Sequence, residues 1–159
     1  MTKPPEFIAP ENYKPLLPKN QQKAALAALR SSATLAKASR VIAQKTAALR
    51  GAVLDLVTQM EAFTKSGDWP AAFAAAHEIR GLAGTAGLSA TGRIANGFCH
   101  YLDALLRAGA QPDAAIVRLH VDAITRSART EDETARHGDA VADELAALVA
   151  RRLAELRNG

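Results

Sequence analysis

Cysteine is nearly missing from this chain: Cys99 is the only one in 159 residues. One thiol excludes an internal disulfide framework and a cysteine-based metal cluster. Aromatic residues make up 4%, and runs of Val, Ile, Thr and Tyr that would read as strands are missing. No apolar run approaches the ~20 residues of a membrane span. The opening stretch MTKPPEFIAPENYKPLLPKN has no apolar core of a signal peptide, so the expected location is the cytoplasm. There is no glycine-rich phosphate-cradling loop, no HExxH and no His pair at i,i+4. The other histidines, His100, His120 and His137, show no metal-ligand spacing with one another or with His77. No metal is expected, and no Ser-His-Asp or Cys-His arrangement argues for a hydrolase.

What the chain has is alanine, leucine and valine. Small apolar side chains suit closely packed helices, so the expected fold class is all-α. The net charge of +4 is unevenly placed: every lysine lies at or before Lys65. A basic N-terminal half can attract acidic partners or nucleic acid, although it commonly serves only as a solvated surface.

Residues 1–20 hold five of the seven prolines and read as a disordered or extended arm. Residues 21–159 read as a helical bundle, with a core over roughly 40–128 and a C-terminal helix over 133–157. The stretch 21–40 is alanine-rich with a weak stripe, a separate short helix or a frayed extension. Leu49, Val53, Leu56, Val57, Met60 and Phe63 then recur at helical steps. That helix should stop at Gly67 in a left-handed cap, and Asp68 with Pro70 should start the next. The second helix should run to about Gly87, burying Ala72, Ala75, Ile79, Leu82, Ala83 and Ala86. Ser89 should cap a third helix burying Ile94, Phe98, Tyr101, Leu102 and Leu105, and Asp113 a fourth. Val141, Leu145, Leu148, Leu153 and Leu156 mark a fifth. Short connections between long amphipathic helices predict an antiparallel up-down bundle, a four-helix core with extra N- and C-terminal helices.

The chemistry concentrates in AHEIRGLAGTAG, residues 76–87. On a helical wheel His77, Arg80, Gly81 and Gly84 share the face opposite Ile79, Leu82 and Ala86. Glycine in a helix costs roughly 1 kcal/mol against alanine, so glycines beside an outward imidazole suggest clearance for a large partner. Imidazole, with an ordinary pKa of about 6.5, is a good nucleophile near neutrality. A guanidinium three residues on can reach an anionic group carried by the ring. The pattern suits a surface histidine that carries a phosphoryl group.

These residues resemble the signature of histidine-containing phosphotransfer (HPt) domains of two-component phosphorelays. The similarity lies in His77, Ile79, Arg80, Gly81, Ala83 and Gly87, and further along in Ile94, Cys99, Leu102 and Asp103. It covers roughly residues 50–125. Leu82 stands where serine is common and Ala86 where a larger apolar residue is usual. The resemblance implies that His77 accepts a phosphoryl group from a receiver-domain aspartate and passes it to a response regulator. Arg80 would stabilise the phosphoryl charge, and Gly81, Gly84 and Gly87 would give clearance and structure. Phe73, Ala76, Leu88 and Arg93 would touch the partner. Implied partners are receiver domains and a sensor histidine kinase, plain or hybrid. No cofactor of the chain's own is implied, since Mg2+ would come with the receiver, and no ATP-dependent kinase activity. No membrane or nucleic-acid partner is expected.

Two other readings use the same residues. Residues 79–97 also resemble a helix-turn-helix, with Ala83, Ala86, Gly87, Leu88 and Ser89 in the turn and Arg93 and Asn96 offered to bases. The following helix is long for a recognition helix, and Gly92 and Gly97 weaken it. The other alternative is an HPt-like bundle that only binds.

Overall fold

The computed structural model describes residues 18–130 and 135–158. The proline-rich arm, apart from its last residues, and the acidic cluster at 131–133 lie outside the described residues. Among the described residues six helices follow in order: α1 Lys19–Leu29, α2 Ser32–Ser66, α3 Trp69–Ala83, α4 Ser89–Ala108, α5 Ala114–Arg129 and α6 Ala135–Asn158. Among the described residues there is no strand, so the all-α expectation holds. Two compact units divide the chain at residues 42 and 43. The first holds α1 and the opening turns of α2; the second holds the rest.

Stretch 21–40 is therefore neither one short helix nor a simple extension. A break at Arg30 and Ser31 separates α1 from α2, and α1 already begins at Lys19, inside the stretch expected to be an arm.

In the second unit α4 is the central helix, packed against α3, α5 and α6, while α5 also meets α6. Its inward residues Ile94, Phe98, Tyr101, Leu102 and Leu105 are all buried as the periodicity predicts. Each large side chain taken fully from water contributes roughly 1.5–3 kcal/mol, and α4 supplies more of them than any neighbour. From α2 come Val53, Val57 and Met60; from α6 come Ala142, Leu145 and Val149. Leu148 and Leu153 are partly buried, whereas Val141 and Leu156 remain exposed. The C-terminal helix thus belongs to the same core as the segment at 40–128.

Local signals account for the ends of α3, the helix that carries the motif. Gly67 has φ +74°, and the Asp68 side chain accepts from the Ala71 N–H at 3.1 Å, with Pro70 in the first turn. At the far end Leu88 N–H reaches Ala83 O at 2.8 Å and Gly87 N–H reaches Gly84 O at 3.2 Å. Those two bonds, with Gly87 at φ +74°, form the Schellman ending that glycine alone enters without strain. Arg50 of α2 secures it from outside, its Nε donating to Ala86 O at 3.1 Å. The regular helix stops at Ala83, and residues 84–87 form its closing turn, in which Ala86 N–H still bonds Leu82 O at 3.0 Å.

Two further expectations are corrected here. Ser89 is the first residue of α4 rather than its cap; Leu88 holds the cap position, with no side-chain hydrogen bond. Leu82 is only half-buried. Asp113 does cap α5, accepting from Ala115 and Ile116 N–H.

Candidate functional site

His77 and Arg80 stand on the exposed side of α3, three residues apart and so one turn apart. Arg80 Nη2 lies 2.6 Å from His77 Nε2. A guanidinium has donors only, so Nε2 accepts this bond with its lone pair. This contact is a hydrogen bond in the tautomer whose proton sits on Nδ1. The second terminal nitrogen of Arg80, Nη1, donates to Oδ1 of Asn96 on α4 at 3.3 Å. Asn96 thereby braces the arginine from the neighbouring helix. Phe73, a turn before His77 and half-buried, has its ring centroid 6.0 Å from the imidazole.

The glycines divide into two kinds. A Cβ added at Gly81 or Gly84 would meet nothing within 4 Å. Neither is needed for packing within the chain, and both leave open ground beside His77. A Cβ at Gly92 would sit 3.3 Å from Ala83 Cβ and 3.6 Å from Arg80 O. Gly92 is what lets α4 approach α3 closely. Gly87 belongs to the turn, as described above.

The expected partner contacts fare unevenly. Phe73 is accessible in part. Ala76 is buried in line with Ala72 and Ala83, so its side chain cannot reach another protein. Leu88 is buried too, because it follows the left-handed Gly87 and turns inward, the usual fate of that position. Arg93 is exposed but engaged: it forms ion pairs with Asp139 and, at 2.7 Å, with Asp143. The hydrogen bond to Asp139 raises its already high pKa. Arg93 thus ties α4 to α6 while about half of its side chain stays exposed.

A groove of about 650 Å³ opens beside the site, with Arg80, Gly84, Gly92 and Asn96 on one side and Val149 and Leu153 of α6 on the other. Among the described residues no group of three or more His, Cys, Asp or Glu could hold a metal ion. The neighbour of Nε2 is itself a cation, which would repel one.

The remaining candidates are structural. Cys99 is buried, and desolvation pushes its thiol up to about 11, so it is no nucleophile. His120 is fully buried, with Nδ1 bonded to Ile116 O at 2.9 Å and its ring stacked on Phe98 and Tyr101. The helix-turn-helix alternative loses its reading helix. Its Arg93 and Asn96 are held by other side chains, and α4 is enclosed by three helices rather than presented to a groove of DNA.

The sequence model of the Hpt domain matches residues 46–159. The chain belongs to the Hpt family. As an Hpt domain it has a phosphotransfer role in two-component signalling, and the match includes α6 while leaving out α1 and the opening turns of α2. Among curated proteins and among solved structures, no match is found. Among the described residues, no helix is long and apolar enough to cross a membrane.

Asn96 and Arg50 were missed as contributors to this Hpt site. In sequence Asn96 stands out only as a candidate base-reading residue, and nothing singles out Arg50. Their partners lie 16 and 36 residues away, a separation no helical period reports.

Proposed function

We propose that this Hpt chain is a phosphorelay intermediate with His77 as carrier. The neutral Nε2 attacks the phosphorus of an aspartyl phosphate on a receiver domain. The N–P bond forms as the acyl P–O bond breaks, and the aspartate leaves as a carboxylate. The reverse step on a second receiver delivers the group to a response regulator.

The observation that carries this reading is the Arg80–His77 hydrogen bond on an exposed helix face with open space at Gly81 and Gly84. Arg80 already points at the nitrogen where negative charge would arrive. It can exchange the ring for phosphoryl oxygens with little movement, held meanwhile by Asn96. Its planar fork matches phosphoryl geometry. The magnesium ion of the reaction is supplied by the receiver, and the initial phosphoryl group by a sensor kinase.

The test uses receiver domains phosphorylated on aspartate, mixed with wild type and with His77→Ala. Acid-labile, base-stable label on wild type and none on the variant supports the carrier. A folded wild type that takes no label from any of several receivers overturns it, leaving an Hpt-like module that only binds.

A further inference from the structure

The segment before the Hpt match carries an exposed surface outside the site at His77. Within the first unit, α1 and the opening turns of α2 expose Leu26, Leu29 (62%), Leu35, Val41 and Ile42 (66%). Scattered single apolar residues need no explanation, but five within seventeen positions do. The same turns expose Lys23, Arg30, Lys37 and Arg40. No aspartate or glutamate occurs between Glu11 and Asp55.

The placement differs between the two helices, and Val41 falls on the same half of α2 as Lys37 and Arg40. On α1, Leu26 and Leu29 are neighbours on one face, and Lys23 and Arg30 flank Leu26 at three and four residues. On α2, Leu35 and Ile42 lie two turns apart on one face, with Lys37 and Arg40 on the opposite half.

We propose that this segment adsorbs to an anionic lipid surface. The leucines and Ile42 enter the boundary between headgroups and acyl chains, and the cations lie over lipid phosphates. Charge decides among the possible occupants. A second copy docked on this face would set cations against cations, with no carboxylate in the segment to pair them. Nucleic acid would engage the cations and leave the apolar side chains in water. An anionic bilayer takes both, since apolar burial and attraction to acidic lipid add at an interfacial helix. The expectation of no membrane partner rested on the lack of a span, and adsorption needs none.

The test uses the full chain and sedimentation with vesicles of phosphatidylcholine alone or mixed with phosphatidylglycerol. Partition into the mixed vesicles should be about tenfold greater and should fall as salt is added. Leu29→Glu with Ile42→Glu, and separately Lys37→Glu with Arg40→Glu, should each lower it about tenfold. Helix content by circular dichroism should not change. No sedimentation with mixed vesicles, or equal sedimentation with neutral ones, overturns the proposal. So does a dimer by light scattering that the Leu29 and Ile42 substitutions dissolve. So does salt-sensitive binding to duplex DNA that they leave intact while vesicles are ignored.

Discussion

Arg80 donates to Nε2 of His77 at 2.6 Å, so the nitrogen that would carry the phosphoryl group is already in contact with the cation that would hold it. Removing that cation should leave the helix intact, because both side chains are exposed. Arg80→Ala is expected to lower the transfer rate or the lifetime of the phosphohistidine about ten- to a hundredfold. That range matches the roughly 1.5–3 kcal/mol of a hydrogen bond to a charged group. Arg80→Lys keeps the charge without the fork and should fall in between. Label decay on the isolated protein gives the lifetime, and an Arg80→Ala protein with both lifetime and transfer rate unchanged would remove Arg80 from the mechanism.

Gly81 and Gly92 separate clearance from packing. Gly81→Ala and Gly81→Phe add atoms to open space, so both should fold, and the alanine variant should be stabilised by up to about 1 kcal/mol. Phosphoryl acceptance should persist in Gly81→Ala and collapse in Gly81→Phe. Gly92→Ala should do the opposite. Its Cβ would crowd Ala83 at 3.3 Å, lowering the melting temperature with little direct effect on His77. Melting curves and transfer assays on the three variants check this. A Gly81→Phe protein with normal transfer would mean that no partner approaches this face.

The motif helix was legible in sequence because its signals are local. Asp68 and Pro70 start it, Gly87 ends it, and the three-residue step from His77 to Arg80 places both on one face. Wheel position separates buried from exposed faces well for Ile79 and Ala83. It fails at the margins. Ala76 and Leu88 were expected on the partner face: Gly87 marks the turn, but wheel position does not follow the chain through its left-handed residue, which swings Leu88 inward, and no local signal reports the packing that covers Ala76. The engagement of Arg93 was hidden for another reason. Its carboxylates are Asp139 and Asp143 on α6, so only the tertiary fold brings them to it. The same distance in sequence hid Asn96.

Arg93 supplies a test of its two roles, as a tie between α4 and α6 and as a partner contact. Arg93→Ala removes the two ion pairs between α4 and α6 and touches nothing at His77. The expected result is faster amide exchange in the first turns of α6 with unchanged transfer from a receiver. A large loss of transfer at unaltered α6 protection would restore Arg93 to the partner surface.

His120 should make the stability of the bundle depend on pH. Burial lowers its pKa, only partly offset by the bond to Ile116 O, and Nε2 has no partner. The folded protein therefore resists the second proton, while the unfolded chain binds it near pH 6.5. Where the unfolded state binds more protons, stability rises with pH. The contribution is thus fully present above about pH 6.5 and is lost as the pH falls from there toward the folded value. No acceptor meets Nε2: Phe98 and Tyr101 stack on the ring faces, and a Cβ built at Gly97 would lie 3.7 Å from Nε2. His120→Leu deletes both the titration and the unpaired nitrogen. Urea unfolding at pH 7.5 and 5.5 should show wild type losing more stability on acidification than His120→Leu does. Equal losses in the two proteins would mean that His120 gains a proton in the fold as easily as in the unfolded chain, and the buried ring would have to be wetter than its packing implies.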